Sequence, residues 1–218
     1  MKKILTFAVA VACAFTATAQ SGKCVNETPA LQNGLGTVSF ISSKTWRVGN
    51  QVWSDAVTAT KCQKTTYYGI SSGEYNADCR KNGDYGDLFS WCAVSRFQKQ
   101  LCPAPWRVPT TEDFAALDKA LENNGKETVA EKSGYGTVAR TAQEMSQRDK
   151  YLKFWGGVYG GYCLSDGALY YQGSTAYYWS QSEYSSGMAY RLYFASNGEV
   201  YPQGDENKGI GISLRCVR

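Results

Sequence analysis

The sequence has no histidine among its 218 residues. Histidine exchanges protons most readily near neutral pH and is the commonest metal ligand in proteins. The sequence also lacks a Cys-x-x-Cys pair, the spacing that lowers a thiol pKa for redox catalysis. Its carboxylates are scattered, without a partner arranged for acid–base work. We therefore predict that the protein is not an enzyme and holds no cofactor.

A strong excess of either charge is missing as well. The 23 basic residues against 19 acidic ones give a formal net charge of only +4. A charge this small and this dispersed does not follow a phosphate backbone, so we expect no nucleic-acid partner.

Long apolar runs are missing except at the N-terminus. There, Lys2 and Lys3 precede an uncharged run from Ile4 to Phe15, and Ala17-Thr18-Ala19 provides the small residues that a signal peptidase requires. We predict a cleaved signal peptide over residues 1–19. A membrane anchor is the alternative, but the stretch is marginal for a bilayer core, and we expect no transmembrane segment in the mature chain. The protein is then exported to the periplasm, to the outer-membrane surface or out of the cell.

Cysteine, by contrast, is well represented, and seven of the eight cysteines lie beyond the predicted signal peptide. Export to an oxidising compartment favours disulfides over metal clusters, and an odd number leaves at least one thiol unpaired. Spacing does not fix the pairing. The pairs that we favour are Cys62 with Cys79, which closes a local loop, and Cys102 with Cys216, which ties the middle of the chain to its last strand. Lipid attachment at Cys24 is not expected, because Lys23 stands where a small residue is required.

The first part of the mature chain predicts a linker and then strands. Residues 20–36 are small and polar and predict a linker with little fixed structure, followed by one domain over residues 37–218. Short runs that contain Val, Ile and Trp, separated by turn residues, predict strands. These runs are Thr37–Ile41, Thr45–Val48 and Gln51–Val57.

The middle of the chain predicts a loop, a buried element and the clearest helix. Asn76–Asp87 has the composition of a surface loop, whereas Leu88–Val94 predicts a buried strand or short helix. Thr110 and Asp113 form a capping box that starts a helix, and Asn124-Gly125 supplies its stop. A second, less apolar helix is predicted over about residues 140–150.

The last part of the chain predicts short antiparallel strands. Asp166-Gly167 and Asn197-Gly198 each lie between strand-like runs, and both dipeptides favour tight hairpin turns. In the final strand, Ile210, Ile212, Leu214 and Cys216 alternate with Gly211, Ser213 and Arg215, so we expect one buried face and one solvated face. The predicted fold class is α+β, with short antiparallel sheets and one or two helices.

Several sequence blocks, taken in order, carry a family resemblance. They are Val48-Gly49-Asn50-Gln51-Val52-Trp53, Gly86-Asp87-Leu88-Phe89-Ser90-Trp91, Leu101-Cys102-Pro103-Ala104-Pro105-Trp106-Arg107-Val108-Pro109-Thr110, and Ile212-Ser213-Leu214-Arg215-Cys216-Val217-Arg218. Together they resemble the Fibrobacter succinogenes major paralogous domain over residues 37–218, a family common in exported proteins of Bacteroidetes and Fibrobacteres.

This resemblance implies a C-type-lectin-like fold, which the formylglycine-generating enzymes and hypervariable receptor-binding proteins share. The stretch from Tyr178 to Ser186, together with the terminal Arg215-Cys216-Val217-Arg218, is similar to the ligand-facing tail of those variable proteins. The Glu-Pro-Asn, Gln-Pro-Asp and Trp-Asn-Asp signatures of calcium-dependent sugar lectins are absent, as is the Gly-Asn-Val-Trp-Glu-Trp signature of the formylglycine enzymes. The resemblance therefore implies neither calcium nor a sugar, and it does not imply oxidase chemistry.

Tyrosine marks the candidate binding surface, because eleven of the 16 tyrosines occur from Tyr151 onward. Tyrosine offers an apolar ring with a polar tip and few torsions to freeze, which suits recognition. On the strand from Ala189 to Ala195 we assign Tyr190, Leu192 and Phe194 to the core. The residues that we expect to meet a glycan or protein ligand are Tyr184, Arg191, Tyr193, Glu199, Tyr201, Gln203 and Asp205.

Other interpretations stay open. The tyrosines are also good strand formers, and they can pack inside the protein instead of facing a ligand. In that case the chain is a structural cell-envelope protein without a small ligand, or a degenerate relative of the formylglycine enzymes. Calcium could bind in the loops at residues 76–87 or 205–207, although solvated turns explain both. Four tryptophans in short apolar elements are expected in the core: Trp46, Trp53, Trp91 and Trp106.

Overall fold

The computed structural model describes residues 24–71, 74–123 and 142–218, with backbone alone for Ser71 and for residues 142–144. The predicted signal peptide, residues 20–23 of the predicted linker and the helix stop at Asn124-Gly125 lie outside the described residues.

The described residues form fourteen strands, four α-helices and two 3-10 turns. The strands are β1 (Cys24–Glu27), β2 (Val38–Phe40), β3 (Thr45–Val48), β4 (Gln51–Ala59), β5 (Ile70–Ser71), β6 (Glu74–Ala77), β7 (Cys79–Arg80), β8 (Leu88–Phe89), β9 (Tyr162–Cys163), β10 (Leu169–Tyr170), β11 (Thr175–Glu183), β12 (Met188–Ala195), β13 (Val200–Asn207) and β14 (Arg215–Val217). The helices are α1 (Trp91–Arg96), α2 (Gln98–Leu101), α3 (Thr111–Ala120) and α4 (Ala142–Lys153), and 3-10 turns cover Pro29–Leu31 and Gly83–Tyr85.

The predicted α+β class is confirmed, because short and mostly antiparallel sheets alternate with helices. The described residues contain more helices than the one or two expected. Ser90 explains why an additional helix begins at Trp91. Its hydroxyl accepts a hydrogen bond from the Ala93 amide at 3.1 Å and so caps α1. The capping box at Thr110 and Asp113 is confirmed at the start of α3.

Strand β4 joins the beginning of the domain to its end. It pairs antiparallel with β2 through residues 57–59, with β3 through residues 51–54, and with β14 through residues 53–56. The late sheet has the order β11-β12-β13, and the two predicted hairpins connect β9 to β10 and β12 to β13. In the first hairpin, Gly167 has a φ of 74°, which glycine adopts without steric cost.

Two large clusters of buried side chains form most of the core, and a small third one contains Tyr67, Leu88 and Cys163. One large cluster lies between α3, α4 and one face of the late sheet, and it includes Trp53, Trp155 and Phe194. The other large cluster surrounds α1 and the disulfides and includes Trp91 and Trp179. Of the four tryptophans expected inside, Trp53 and Trp91 are buried, whereas Trp46 and Trp106 pack against the clusters while partly exposed.

The predicted linker is wrong from residue 24 onward. Strand β1 pairs in parallel with β6, and Cys24 forms a disulfide with Cys92. Leu31 and Leu35 are completely buried. The segment is ordered because these isolated apolar side chains enter a core formed by distant residues, a contact that local composition does not reveal.

The surface loop predicted at residues 76–87 is wrong at three of its polar positions, although Asp84 is exposed. Asp78, Asn82 and Asp87 are at most 2% exposed. Burial is tolerated because their polar atoms are hydrogen-bonded. Asp87, for example, accepts hydrogen bonds from the Ala59 amide and the Lys81 ammonium, both at 2.8 Å.

The solvated face predicted for the last strand is also wrong. Ser213 and Arg215 are each 1% exposed, although they alternate with buried apolar residues. The Arg215 guanidinium donates hydrogen bonds to the carbonyl oxygens of Ser54 at 2.6 Å and Trp155 at 2.7 Å. Its plane also lies 4.1 Å from the Trp155 ring centre, so a cation and an aromatic ring fill the space that water was expected to occupy.

Three disulfides connect the described residues. The structure contains both pairs favoured from the sequence, Cys62–Cys79 and Cys102–Cys216, together with Cys24–Cys92. Cys163 is the free, buried cysteine among the described residues. This number of disulfides indicates an exported or extracellular protein, because thiols in the cytoplasm are kept reduced. No helix in the described part of the chain has the length and apolar character needed to cross a membrane.

Candidate functional site

A groove of about 350 Å³ lies over one face of the late sheet. We call it the tyrosine groove. Its polar and aromatic lining consists of Tyr162, Tyr171, Thr175, Tyr177, Tyr193 and Glu206, and Leu164, Ile210 and Ile212 complete it.

The pairing of the strands brings the tyrosines of the groove together. Tyr177 of β11 lies directly opposite Tyr193 of β12, and Tyr193 lies opposite Tyr201 of β13. The ring centres of Tyr177 and Tyr193 are 4.8 Å apart, and those of Tyr193 and Tyr201 are 5.5 Å apart. Side chains directly opposite on one face of a sheet contact each other, so the register itself builds a row of rings.

The β9–β10 hairpin extends this row. The Tyr162 ring stacks on Tyr171 at 5.8 Å and meets Tyr177 edge-on at 5.7 Å. Gly161 allows the approach: its φ is 63°, and a Cβ there would lie 2.0 Å from the Tyr170 carbonyl oxygen. The hairpin therefore closes one side of the groove with rings that belong to a different sheet.

Tyr171 is held in a costly backbone conformation at the edge of the groove. Its φ is 56°, in the left-handed region that non-glycine residues rarely adopt, and its side chain is 61% exposed. An exposed tyrosine gains little from burial to offset this cost. Strained positions of this kind are concentrated at functional sites.

Arg191 supplies a positive charge beside the rings. Its guanidinium lies 5.1 Å from the ring centre of Tyr177 and 4.9 Å from that of Tyr193, within range for cation–π attraction. One of its nitrogens lies 3.9 Å from a Glu206 carboxylate oxygen. Gly204 lies opposite Arg191 on β13, and a Cβ there would come within 2.7 Å of the guanidinium. The absence of a side chain at Gly204 leaves room for this cation.

The hydroxyls of Tyr177 and Tyr193 keep their protons at neutral pH. Burial raises the pKa of Tyr177 to about 12, although the Arg191 charge acts in the opposite direction. Burial also raises the pKa of Tyr193 well above its ordinary value, and the neighbouring Tyr177 and Glu199 raise it further. Protonated phenols are hydrogen-bond donors and poor nucleophiles, so the groove is equipped to bind and orient a ligand.

The residues predicted for the site separate into two groups. Arg191, Tyr193, Glu199 and Tyr201 come together, since the Tyr193 hydroxyl also donates a hydrogen bond to Glu199 at 3.0 Å. Of these four, only Tyr193 belongs to the groove lining, and none of the remaining three predicted residues does. Tyr184 contacts the Tyr190 ring at 5.2 Å, Asp205 is paired with Tyr190 across the strands, and Gln203 is exposed on β13.

The core assignment on β12 is correct for Leu192 and Phe194, which are completely buried, but Tyr190 is only partly buried. The sequence analysis did not identify five groove residues: Tyr162, Tyr171, Thr175, Tyr177 and Glu206. Alternation along β11 was the signal available for Tyr177. The register of β13 shifts between the partners of Tyr193 and Arg191, so simple alternation from Tyr201 did not indicate Glu206.

The remaining candidate for chemistry is the free thiol. Burial raises the pKa of Cys163 far above its ordinary value, so the thiolate needed for reaction is scarce. Among the described residues, no three His, Cys, Asp or Glu side chains gather as a metal-binding group.

Comparison with known proteins identifies the family of the chain. No curated protein and no solved structure matches the chain. The model of one family, described as the Fibrobacter succinogenes major domain, matches residues 41–218. The match contains the blocks around Trp53, Trp91 and Cys102 and the terminal Arg215-Cys216-Val217-Arg218. The chain therefore belongs to the Fibrobacter succinogenes major domain family.

Proposed function

We propose that this protein is a non-catalytic recognition module, exported or displayed on the cell surface, that binds a glycan or protein ligand in the tyrosine groove. The observation that carries the proposal is the row of Tyr162, Tyr177 and Tyr193 beside an open volume of about 350 Å³. Volumes of this size are typical of ligand sites, which combine apolar rings with a few polar groups. The strained, exposed Tyr171 supports the same function.

The wider setting is part of the proposal. A C-type-lectin-like arrangement, with the late sheet facing the ligand, agrees with the family resemblance. A signal peptide over residues 1–19 and three disulfides agree with residence in the periplasm, on the outer-membrane surface or outside the cell. Adhesion to a surface that carries the ligand is the biological role that follows.

Arrays of glycans and of surface proteins test the proposal. The purified protein is applied alongside Tyr171→Ala, which removes a groove ring, and Tyr68→Ala, which removes a similarly exposed tyrosine outside the groove (54% against 61%). We expect attachment to at least one array, reduced about tenfold by Tyr171→Ala and unchanged by Tyr68→Ala. A recognition role for the groove is contradicted if both variants retain full attachment. It is also contradicted if the wild-type protein attaches to neither array.

A further inference from the structure

We propose that the ligand of the tyrosine groove is a neutral saccharide unit, held without calcium. This inference rests on the proposed function and narrows its ligand from a glycan or protein to one chemical class. Charge and strand topology argue against competing ligands, and the hydrogen-bonding groups of the groove fit a saccharide.

The charges of the groove exclude a cationic ligand. A cluster of tyrosines beside a carboxylate is typical of sites for quaternary ammonium or lysine groups. Here the protein's own Arg191 already lies against two of the rings, at 4.9 Å from Tyr193 and 5.1 Å from Tyr177, and is paired with Glu206. A cationic ligand would meet a like charge where the rings attract it.

An anionic ligand is disfavoured by the same arrangement. Glu206 lines the groove with its carboxylate, and Glu199 accepts a hydrogen bond from the Tyr193 hydroxyl beside it. The Arg191 guanidinium lies 3.9 Å from Glu206, and its Nε and Nη1 atoms are shielded from solvent and have no hydrogen-bond partner. Glu206 lines the groove whereas Arg191 does not, so an incoming anion meets a carboxylate before it meets the guanidinium, and a neutral ligand is favoured.

The hydrogen-bonding groups of the groove fit a polyol. Tyr162, Tyr171 and Tyr177 present apolar ring surface together with hydroxyls, and Thr175 and Glu206 add further polar oxygens. A pyranose ring has the complementary character, with C–H groups on its faces and hydroxyls around its edge. Its faces can stack on the tyrosine rings while its hydroxyls donate to Glu206 and accept from the protonated phenols.

The topology excludes an extended peptide that binds in the groove as an extra strand beside β12. Peptides that bind as an extra strand need a free sheet edge for backbone hydrogen bonds. The groove lies over the face of the sheet at β12, and both edges of β12 are already occupied, by β11 and β13. A volume of about 350 Å³ is near the lower end for ligand sites, which suits a short saccharide.

Calorimetric titration of the full protein tests the ligand class. The neutral probes are cellobiose, maltose, lactose and chitobiose. Glucuronate is the anionic probe and choline the cationic one, and each titration is repeated with EDTA. We expect at least one neutral disaccharide to bind with the same affinity in EDTA. Tyr171→Ala and Glu206→Gln should each weaken that binding about tenfold, whereas Tyr68→Ala should leave it unchanged.

Other outcomes overturn the inference in distinguishable ways. Groove-dependent binding of choline or glucuronate, without binding of any neutral disaccharide, overturns the saccharide class but leaves the recognition function standing. Loss of disaccharide binding in EDTA overturns the calcium-free mode alone. If no disaccharide binds and the glycan and protein arrays are also blank, both the inference and the proposed function fail. Circular dichroism and a melting curve for each variant separate loss of binding from loss of folding.

Discussion

The guanidinium of Arg191 lies 4.9 Å from the ring centre of Tyr193, on the face of the late sheet that carries the tyrosine groove. The protein thus fills with its own side chain the position that a cation from outside would take. Glu206, 3.9 Å from Arg191, balances this charge. The proposed selectivity of the groove for neutral ligands depends on this internal pair.

Replacing Arg191 should change that selectivity. In Arg191→Met the rings of Tyr177 and Tyr193 lose their resident cation and Glu206 loses its partner, so we expect choline to bind at least about tenfold more tightly than to the wild type. Arg191→Lys keeps the charge and serves as the matched control, with choline affinity close to that of the wild type. Calorimetry measures the choline affinity of both variants. Equal choline affinity in the wild type and Arg191→Met argues against the idea that Arg191 takes the place of an external cation.

Tyr171 offers a test of strain against function. Its φ of 56° favours glycine, so we expect Tyr171→Gly to be about 1 kcal/mol more stable than Tyr171→Ala, which removes the same ring without relieving the backbone. Both variants should lose ligand binding to the same extent. Chemical denaturation measures the first difference and array attachment the second. Equal stability of the two variants would show that the backbone here is unstrained.

Asp78 should make stability depend on pH. Burial raises its pKa from 3.8 to about 6, while hydrogen bonds from Tyr68, Cys79 and Thr28 limit the rise. The folded state therefore binds a proton more tightly than the unfolded state, so this contribution is fully present below pH 3.8 and is lost as pH rises through 6. Over this interval we expect the wild type to lose about 3 kcal/mol relative to Asp78→Asn.

Urea denaturation of wild type and Asp78→Asn at pH 4, 5, 6 and 7 checks this expectation. The comparison with the variant removes the contributions of other carboxylates, such as Asp113, which act in both proteins. A constant difference between the two proteins across this pH range would contradict the assignment of the dependence to Asp78.

Arg215 should be among the most sensitive positions of the core. Arg215→Ala leaves the buried carbonyl oxygens of Ser54 and Trp155 without their donor and removes the cation packed on Trp155. We expect a loss of about 3–5 kcal/mol in the free energy of unfolding. Arg47→Ala, on the exposed side of β3, is the matched control and should change stability by less than about 0.5 kcal/mol.

The cysteines can be mapped by labelling. Because Cys163 is buried and its thiol pKa is raised, iodoacetamide should leave the native protein unmodified beyond the signal peptide. After unfolding without reductant, Cys163 alone among the cysteines from Cys24 onward should be labelled. Peptide mass mapping reads the outcome. Label on Cys24 or Cys92 in the unreduced protein would contradict the disulfide between them.

Features that depend on neighbours in sequence could be predicted. The capping box at Thr110 and Asp113 and the hairpin turns at Asp166-Gly167 and Asn197-Gly198 each require only residues a few positions apart. The hydrogen bonds and backbone conformations that define a capping box or a tight hairpin turn involve only residues within that turn. The structure accordingly has α3 and both hairpins at the predicted places.

Features that depend on distant neighbours could not be predicted. Alternation places Arg215 opposite to buried residues, but its partners Ser54 and Trp155 are 161 and 60 residues away. The tyrosine groove was predicted only in part, because it too combines residues that are distant in sequence. Arg191 and Tyr193 share a strand face, whereas Tyr162 reaches them only through the separate β9–β10 sheet.

The pairing of β4 with β14 has a consequence for folding kinetics. The Cys216 amide donates a hydrogen bond to the Ser54 hydroxyl at 2.8 Å across 162 residues of chain. The entropy of closing so long a loop is lost before the contact forms, which slows folding. Until that moment the backbone of residues 53–56 has an open edge where another chain can pair. Recombinant production should therefore favour slow synthesis and dilute refolding.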